Sequence, residues 1–189
     1  MSTTFKISPR FAGQVELDDY CPRCGWFGLR IKHMPFEKGF PGIMFYLEQV
    51  QKAVILDHFE SNEEAPYYFG PFTDCTKPLA FPTLMTANHA DSDVQLTARP
   101  DMMFRRANGN ALLVDLKTSK PNGGGIVFRP QYEIQVIGYS WVAEAAHFAK
   151  VDAAGLLYCE ILHEQVKDKP SGFTTKGGSM FLSGWKCIR

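Results

Sequence analysis

Residues 99–118 read RPDMMFRRANGNALLVDLKT, and this stretch predicts two antiparallel strands joined by a tight turn. The turn contains Asn108-Gly109, a dipeptide typical of β-hairpins. The second strand, residues 111–117, is apolar and ends in charge. Asp115 and Lys117 lie two residues apart on it, so we expect both side chains on the same face of the sheet.

The two acidic residues of this hairpin predict a site for a hard cation. A carboxylate such as Asp115, at the end of a buried strand, is costly unless it has a partner, a metal or a proton. Asp101 is expected on the preceding strand, and a twisted hairpin would bring the two carboxylates together. Such a pair suits Mg²⁺, and Lys117 beside it suits a phosphate or a developing anionic oxygen.

Two predicted helices flank the hairpin and carry further polar candidates. The first spans residues 43–60, and one apolar stripe at helical spacing is expected to face the core. The stripe comprises Ile43, Leu47, Val50, Val54 and His58. His58 would complete the metal site. The second helix starts at Pro130 and ends near Phe148, with Gln135 and Tyr139 on one face.

The remaining segments predict an α/β fold, a small mixed β-sheet flanked by helices. Residues 61–90 are expected to be irregular with short strands, and one strand is expected over residues 94–104. A glycine-rich loop follows at 121–125. Two further strands are predicted at 154–162 and 180–188.

Composition limits the classes of function. The 189 residues are 45% hydrophobic and 21% charged, which argues against intrinsic disorder. Twenty basic residues balance twenty acidic ones, so a nucleic-acid partner requires a local basic groove. No apolar run is long enough to span a membrane, and the first residues do not resemble a signal peptide. We therefore expect a cytoplasmic protein that has no membrane partner.

The cysteines leave the question of a second metal site open. There are five, and an odd number argues against a disulfide framework. Cys21 and Cys24 form the one C-x-x-C pair. They are interpreted either as plain thiols or as ligands of a metal, with zinc ahead of an iron–sulfur cluster.

Three motifs in order resemble the PD-(D/E)XK nuclease superfamily. They are R-P-D at 99–101, V-D-L-K-T at 114–118, and Q-x-x-x-Y from Gln135 to Tyr139. The pattern is most similar to the RecB-like branch, which includes CRISPR-adaptation nucleases. That branch adds an upstream helical histidine, matched by His58, and a C-P-R motif, matched at residues 21–23. The resemblance implies a single domain over residues 1–189 with a restriction-endonuclease-like core at about 21–162.

The resemblance also implies an activity, namely metal-dependent hydrolysis of DNA phosphodiester bonds, with an exonuclease favoured over an endonuclease. Asp101, Asp115 and the backbone carbonyl of Leu116, helped by His58, would hold Mg²⁺ or Mn²⁺. Lys117 would position the attacking water or neutralise charge, and Gln135 and Tyr139 would orient the site. A DNA-binding groove would be formed by nearby basic residues: Arg99, Arg105, Arg106, Lys120 and Arg129.

Two alternatives remain at this stage. The first is a non-catalytic nucleic-acid-binding module of the same fold, and a protein partner is compatible with either role. The second is a small structural domain that binds zinc through Cys21 and Cys24. Iron–sulfur members of the branch carry three more cysteines in a tight C-terminal cluster. Here that part of the chain offers Cys159 and Cys187, far apart, which argues against a cluster.

Overall fold

The computed structural model describes residues 4–31, 42–62, 64–90, 92–118, 129–161 and 180–188. The predicted α/β fold is confirmed, with two small mixed sheets flanked by helices. No helix in these ranges is long and apolar enough to cross a membrane. In chain order the elements are β1 (Phe5–Ile7), α1 (Pro9–Ala12), a 3-10 turn (Gly13–Glu16), α2 (Pro22–Arg30), α3 (Gly42–Asn62), a 3-10 turn (Tyr67–Phe72), β2 (Cys75–Pro78), β3 (Met85–Asn88), β4 (Val94–Ala98), β5 (Met102–Arg106), β6 (Ala111–Lys117), α4 (Arg129–Ala145), β7 (Val151–Ile161) and β8 (Met180–Ile188).

The larger sheet has the strand order β2-β5-β6-β7-β8. The predicted hairpin is confirmed, since β5 and β6 pair antiparallel around a turn where Gly109 has a φ of 83°. This left-handed backbone is one that glycine adopts without steric cost. β6 and β7 pair in parallel, and α4 provides the crossover between them. β8 pairs antiparallel to β7 and occupies the predicted residues 180–188.

The prediction of one strand over residues 94–104 is wrong in one respect. The segment forms two strands, and these belong to different sheets. β4 pairs with β1 and β3 in a three-stranded sheet, whereas β5 belongs to the larger sheet. The break falls at Pro100, which has no N–H to donate to a ladder. Asp101 therefore lies in a bend immediately before β5 and not on a strand.

Helix α3 covers the predicted segment but buries a different face. Gln51, Ile55 and Phe59 are buried, whereas Ile43 and Val54 of the expected stripe are 65% and 52% exposed. The expectation fails because apolar side chains surround this helix, so their spacing does not select one face. Ile55 and Phe59 pack against apolar residues on one side of the larger sheet.

Strand β6 is buried on both sides and separates two apolar clusters. Leu112, Val114 and Leu116 belong to the cluster of α3, whereas Ala111 and Leu113 belong to the cluster of α4. Because side chains alternate along a strand, Asp115 and Lys117 continue the row that faces α4.

Candidate active site

A cavity of about 370 Å³ opens at the C-terminal end of β6 and contains most of the candidate residues. We call it the β6 cavity. Its walls come from α1, α3, the bend before β5, the end of β6, and α4. The lining residues are Arg10, Met44, Glu48, Gln51, Arg99, Asp101, Asp115, Leu116, Lys117, Thr118, Tyr132, Gln135 and Tyr139.

Asp115 and Lys117 form a buried ion pair on β6, with the lysine ammonium in contact with Oδ2 of the carboxylate. The Asp115 residue is only 2% exposed. Burial raises the pKa of Asp115 to about 6, Lys117 opposes this rise, and the nearby Asp101 adds to it. The Lys117 ammonium also lies 4.2 Å from the centroid of the Tyr132 ring.

Gln135 and Tyr139 share a face of α4, as their four-residue spacing predicts, and Gln135 contacts Asp115. The Gln135 amide donates from Nε2 to Asp115 Oδ1 at 2.9 Å and to the Tyr139 hydroxyl at 3.1 Å. Its Oε1 accepts a bond from Lys117 Nζ at 3.4 Å. Burial raises the pKa of Tyr139, so this hydroxyl keeps its proton at neutral pH. Gln135, Tyr139 and Lys117 therefore form one connected network around the buried carboxylate of Asp115.

Asp101 lies beside this network at the end of β6. Its Oδ2 accepts a hydrogen bond of 2.8 Å from the backbone N–H of Leu116. Its Oδ1 lies 3.0 Å from the ammonium of Lys52, which also contacts Glu48 Oε1 at 2.5 Å. Burial lowers the pKa of Lys52, but the attraction of Asp101 and Glu48 outweighs it and leaves the pKa raised.

The oxygen atoms of the β6 cavity fit a hard divalent cation. Gln51 Oε1 is buried and accepts no hydrogen bond from the described residues, and Asp115 Oδ2 is buried with the ammonium of Lys117 as its contact. Within those residues, no three His, Cys, Asp or Glu side chains group closely enough to hold an ion by themselves. An ion would therefore need two carboxylates, further neutral oxygens and water, a set that Mg²⁺ accepts.

Comparison with known proteins identifies the fold family. The family model of the PD-(D/E)XK nuclease superfamily matches residues 36–178, which is most of the chain. The chain belongs to the PD-(D/E)XK nuclease superfamily. This match does not separate the branches of the superfamily, so the RecB-like assignment stays a prediction.

The other comparisons add little to the PD-(D/E)XK assignment. A solved structure described as "Crystal structure of SSO0001" is similar at 18% sequence identity with a TM-score of 0.41. The alignment covers 82% of this chain and 62% of that one, so this chain spans less than two thirds of its length. The curated proteins gave no match.

The structure does not bring His58 to the cavity of this PD-(D/E)XK protein. It lies about two helical turns beyond Gln51, and its ring contacts Phe59 and Tyr68, with centroids 6.5 Å apart in both pairs. His58 does not line the β6 cavity, where α3 instead contributes Met44, Glu48 and Gln51. The structure therefore does not bring His58 together with Asp101 and Asp115, and its ligand role stays a prediction.

Sequence reasoning missed Glu48 and Gln51, because the spacing along α3 does not show which face of the helix is buried. Gln51 is four residues before Ile55, so it shares the buried face of α3. A polar side chain on a buried face needs a partner. Gln51 is such a side chain, whereas Ile55 and Phe59, which follow on the same face, are apolar.

The five basic residues predicted to line a groove do not all meet. Arg99 lines the β6 cavity, whereas Arg105 and Arg106 lie at the far end of β5. Arg105 donates to the Gly109 carbonyl, and Arg106 pairs with two carboxylates. The expectation fails because a strand advances about 3.3 Å per residue and so carries them away from Asp101.

Three basic residues remain, two that were predicted to line the groove and one that was not. Arg129 pairs with Glu133 one turn along α4 and does not line the β6 cavity. Lys120 lies outside the described residues. Arg10, which sequence reasoning did not select, does line the cavity.

The C-x-x-C pair sits at the start of α2 and is exposed. Cys21 is the N-cap residue, and its sulfur accepts a hydrogen bond of 3.2 Å from the backbone N–H of Cys24. No third metal-ligating side chain groups with this pair within the ranges given above. Cys159 is buried on β7. The zinc and iron–sulfur alternatives therefore lack a ligand set in this part of the molecule.

Proposed function

We propose that this protein is a metal-dependent nuclease that hydrolyses DNA phosphodiester bonds in the β6 cavity. The observation that carries the proposal is the buried Asp115–Lys117 pair, held by Gln135 and placed beside Asp101. A buried charged pair costs desolvation free energy, so its presence in a cavity favours a functional role over a structural one. Membership of the PD-(D/E)XK superfamily supports the same reaction class.

Mg²⁺ or Mn²⁺ would be held by Asp101, Asp115 and the carbonyl oxygen of Leu116, with Glu48 and Gln51 close by. A divalent ion bound there supplies Lewis-acid stabilisation of the negative charge that develops on the phosphate. Lys52 now neutralises Asp101 and Glu48, and its ammonium would have to leave Asp101 to open that carboxylate.

The remaining side chains have roles that follow from their contacts. Lys117 has a cationic Nζ beside Asp115, where it would hold the attacking water or neutralise the charge of the pentacovalent phosphate. Gln135 keeps both Asp115 and Lys117 in place through opposite ends of its amide. Tyr139 stays neutral and supports Gln135. Arg99 is exposed at the cavity and would bind a backbone phosphate.

A cleavage assay tests this function. End-labelled single- and double-stranded DNA and a closed circle are incubated with Mg²⁺, Mn²⁺ or EDTA. We propose exonuclease action, so linear DNA should be degraded from an end and the circle left intact. Cutting of the circle would instead establish an endonuclease.

Matched variants make the assay specific to the cavity. Asp115→Ala and Lys117→Ala should abolish cleavage, whereas Asp57→Ala and Lys77→Ala, at exposed positions on α3 and β2, should cleave like the wild type. Wild-type cleavage by either cavity variant would show that the site is wrongly assigned. DNA binding without cleavage under every metal condition would favour the non-catalytic binding module.

A further inference from the structure

The N-terminal unit, residues 4–31, precedes the stretch that the family model matches, yet it contributes Arg10 to the lining of the β6 cavity. It consists of β1, α1, a 3-10 turn and α2. Its contact with the rest of the protein runs mainly along α4, the helix that carries Gln135 and Tyr139. The unit therefore has a fixed position relative to the site.

The packing of this unit on α4 leaves no room for a side chain at two glycines. A Cβ on Gly13 would lie 2.6 Å from the carbonyl oxygen of Gln131, and one on Gly138 would lie 2.5 Å from Pro9 Cβ. The buried amide of Gln131 also donates from Nε2 to the carbonyl oxygen of Arg10 at 3.0 Å. These contacts hold the backbone of Arg10 against α4, one helical turn away from Gln135.

Arg10 presents an uncompensated positive charge to the cavity. Its side chain is exposed and lines the β6 cavity, and no carboxylate among the described residues forms an ion pair with it. The chain has zero net charge, so binding of an anionic ligand depends on local cations, and Arg10 is available as one.

A second cavity adjoins the first on the side of the N-terminal unit. We call it the N-terminal cavity, and its volume is about 670 Å³. Arg10 and Tyr132 line both cavities, so they form the boundary between them. The other lining residues include two aromatic rings, the amide of Gln14, one carboxylate and two thiols: Phe11, Tyr20, Gln14, Asp19, Cys21 and Cys24.

The size and chemistry of the N-terminal cavity match one unpaired nucleotide. Pockets of about 300–1,000 Å³ hold single small molecules, and a duplex is far larger. Aromatic rings stack on bases irrespective of sequence, and an arginine between two such cavities suits a backbone phosphate.

We propose that the N-terminal unit binds a single nucleic-acid strand as it leaves the β6 cavity. Arg10 contacts the phosphate next to the scissile one, and the neighbouring nucleotide occupies the N-terminal cavity. The proposal rests on the nuclease function proposed above, and it adds a strand preference and a binding residue to it.

The test compares Arg10→Ala with Arg30→Ala, a control in the same unit. Arg30 is exposed on α2, where its guanidinium stacks on Phe5 and Trp26, and it lines neither cavity. Binding of a fluorescent single-stranded oligonucleotide is followed by anisotropy in EDTA over a range of salt concentrations. Arg10→Ala should weaken binding about tenfold at low salt and reduce the salt slope by about 0.7, the value for one phosphate contact on a single strand.

Two further arms complete the design. Arg10→Lys keeps the charge and should restore most of the salt slope, and a duplex of the same sequence should bind more weakly than the single strand. In the cleavage assay with Mg²⁺ or Mn²⁺, Arg10→Ala should raise KM and leave kcat nearly unchanged, because Arg10 binds the strand away from the reacting atoms.

The outcomes separate this proposal from the nuclease function. If the wild type cleaves DNA and Asp115→Ala does not, but Arg10→Ala matches Arg30→Ala in affinity, salt slope and KM, the role of Arg10 is overturned and the nuclease stands. Tighter binding of the duplex overturns the single-strand preference. If the wild type neither binds nor cleaves nucleic acid, both proposals fail together.

Discussion

Gln135 donates a hydrogen bond of 2.9 Å from Nε2 to Oδ1 of Asp115, and both residues are at least 96% buried. This bond occupies Oδ1 of the carboxylate, and the other oxygen, Oδ2, contacts the ammonium of Lys117. The orientation of the amide is fixed as well, because its Oε1 accepts a bond from Lys117. One glutamine thus holds both members of the buried ion pair.

Replacement of Gln135 by leucine should weaken both the fold and the site. Gln135→Leu leaves Asp115 Oδ1 buried without its donor, and an unsatisfied buried group costs about 1–3 kcal/mol. We expect a loss of that size in the free energy of unfolding, measured by urea denaturation, together with a large fall in cleavage rate. Gln49→Leu, on the exposed face of α3, is the control and should change neither quantity. Equal stability of the two variants would show that the hydrogen bond contributes nothing.

Metal binding should depend on Glu48 and not on His58. Glu48 lines the cavity and shares Lys52 with Asp101, whereas the His58 ring lies against Phe59 and Tyr68. Mn²⁺ binding to metal-free protein, followed by titration calorimetry, should weaken several-fold in Glu48→Gln and stay unchanged in His58→Ala. Weaker Mn²⁺ binding in His58→Ala would restore the histidine as a ligand and contradict the observed position of α3.

The hairpin could be predicted from sequence because its signals are local. Asn108-Gly109 specifies the turn, and strict alternation along β6 places Asp115 and Lys117 on one face. The four-residue spacing of Gln135 and Tyr139 gave their common face in the same way. Each of these inferences needs only a few neighbouring residues and an element type.

The parts that failed depend on packing between distant segments. The buried face of α3 is chosen by its contacts with the sheet, and apolar residues lie on every side of the helix, so the expected stripe is not the buried one. Pro100 divided an apparently continuous strand between two sheets. Arg10 reaches the cavity through a contact with Gln131, a residue 121 positions away, and no local pattern records that contact.

Arg106 should stabilise the fold without contributing to nucleic-acid binding. It pairs with Asp74 at 3.0 Å and with Asp152 at 2.9 Å, so its charge is already compensated. Partly exposed ion pairs contribute little each, and we expect Arg106→Ala to lower the free energy of unfolding by about 1 kcal/mol. The difference should shrink at high salt, and oligonucleotide affinity should equal that of the wild type. A reduced salt slope for DNA binding in this variant would instead place Arg106 in the binding surface.

Cys21 should be the first thiol to react with an alkylating reagent. Hydrogen bonds from the thiol and the backbone N–H of Cys24 lower the pKa of Cys21, and the bond between the two thiols raises the pKa of Cys24, while burial raises the pKa of Cys75 and of Cys159 to about 12. The thiolate is the reactive form, so iodoacetamide at pH 8 should label Cys21 before Cys24 in the folded protein. Peptide mapping by mass spectrometry should show Cys75 and Cys159 labelled only after unfolding.

The same experiment tests the zinc alternative at the C-x-x-C pair. A bound zinc ion would protect Cys21 and Cys24 together, and a chelator would then accelerate their alkylation. No third ligand groups with the pair in the described part of the chain, so we expect the chelator to have no effect. In Cys21→Ser, Cys24 loses the thiol partner that raises its pKa, and it should react faster than in the wild type. Slower labelling of Cys24 in that variant would mean that the hydrogen bond between the two thiols does not control their reactivity.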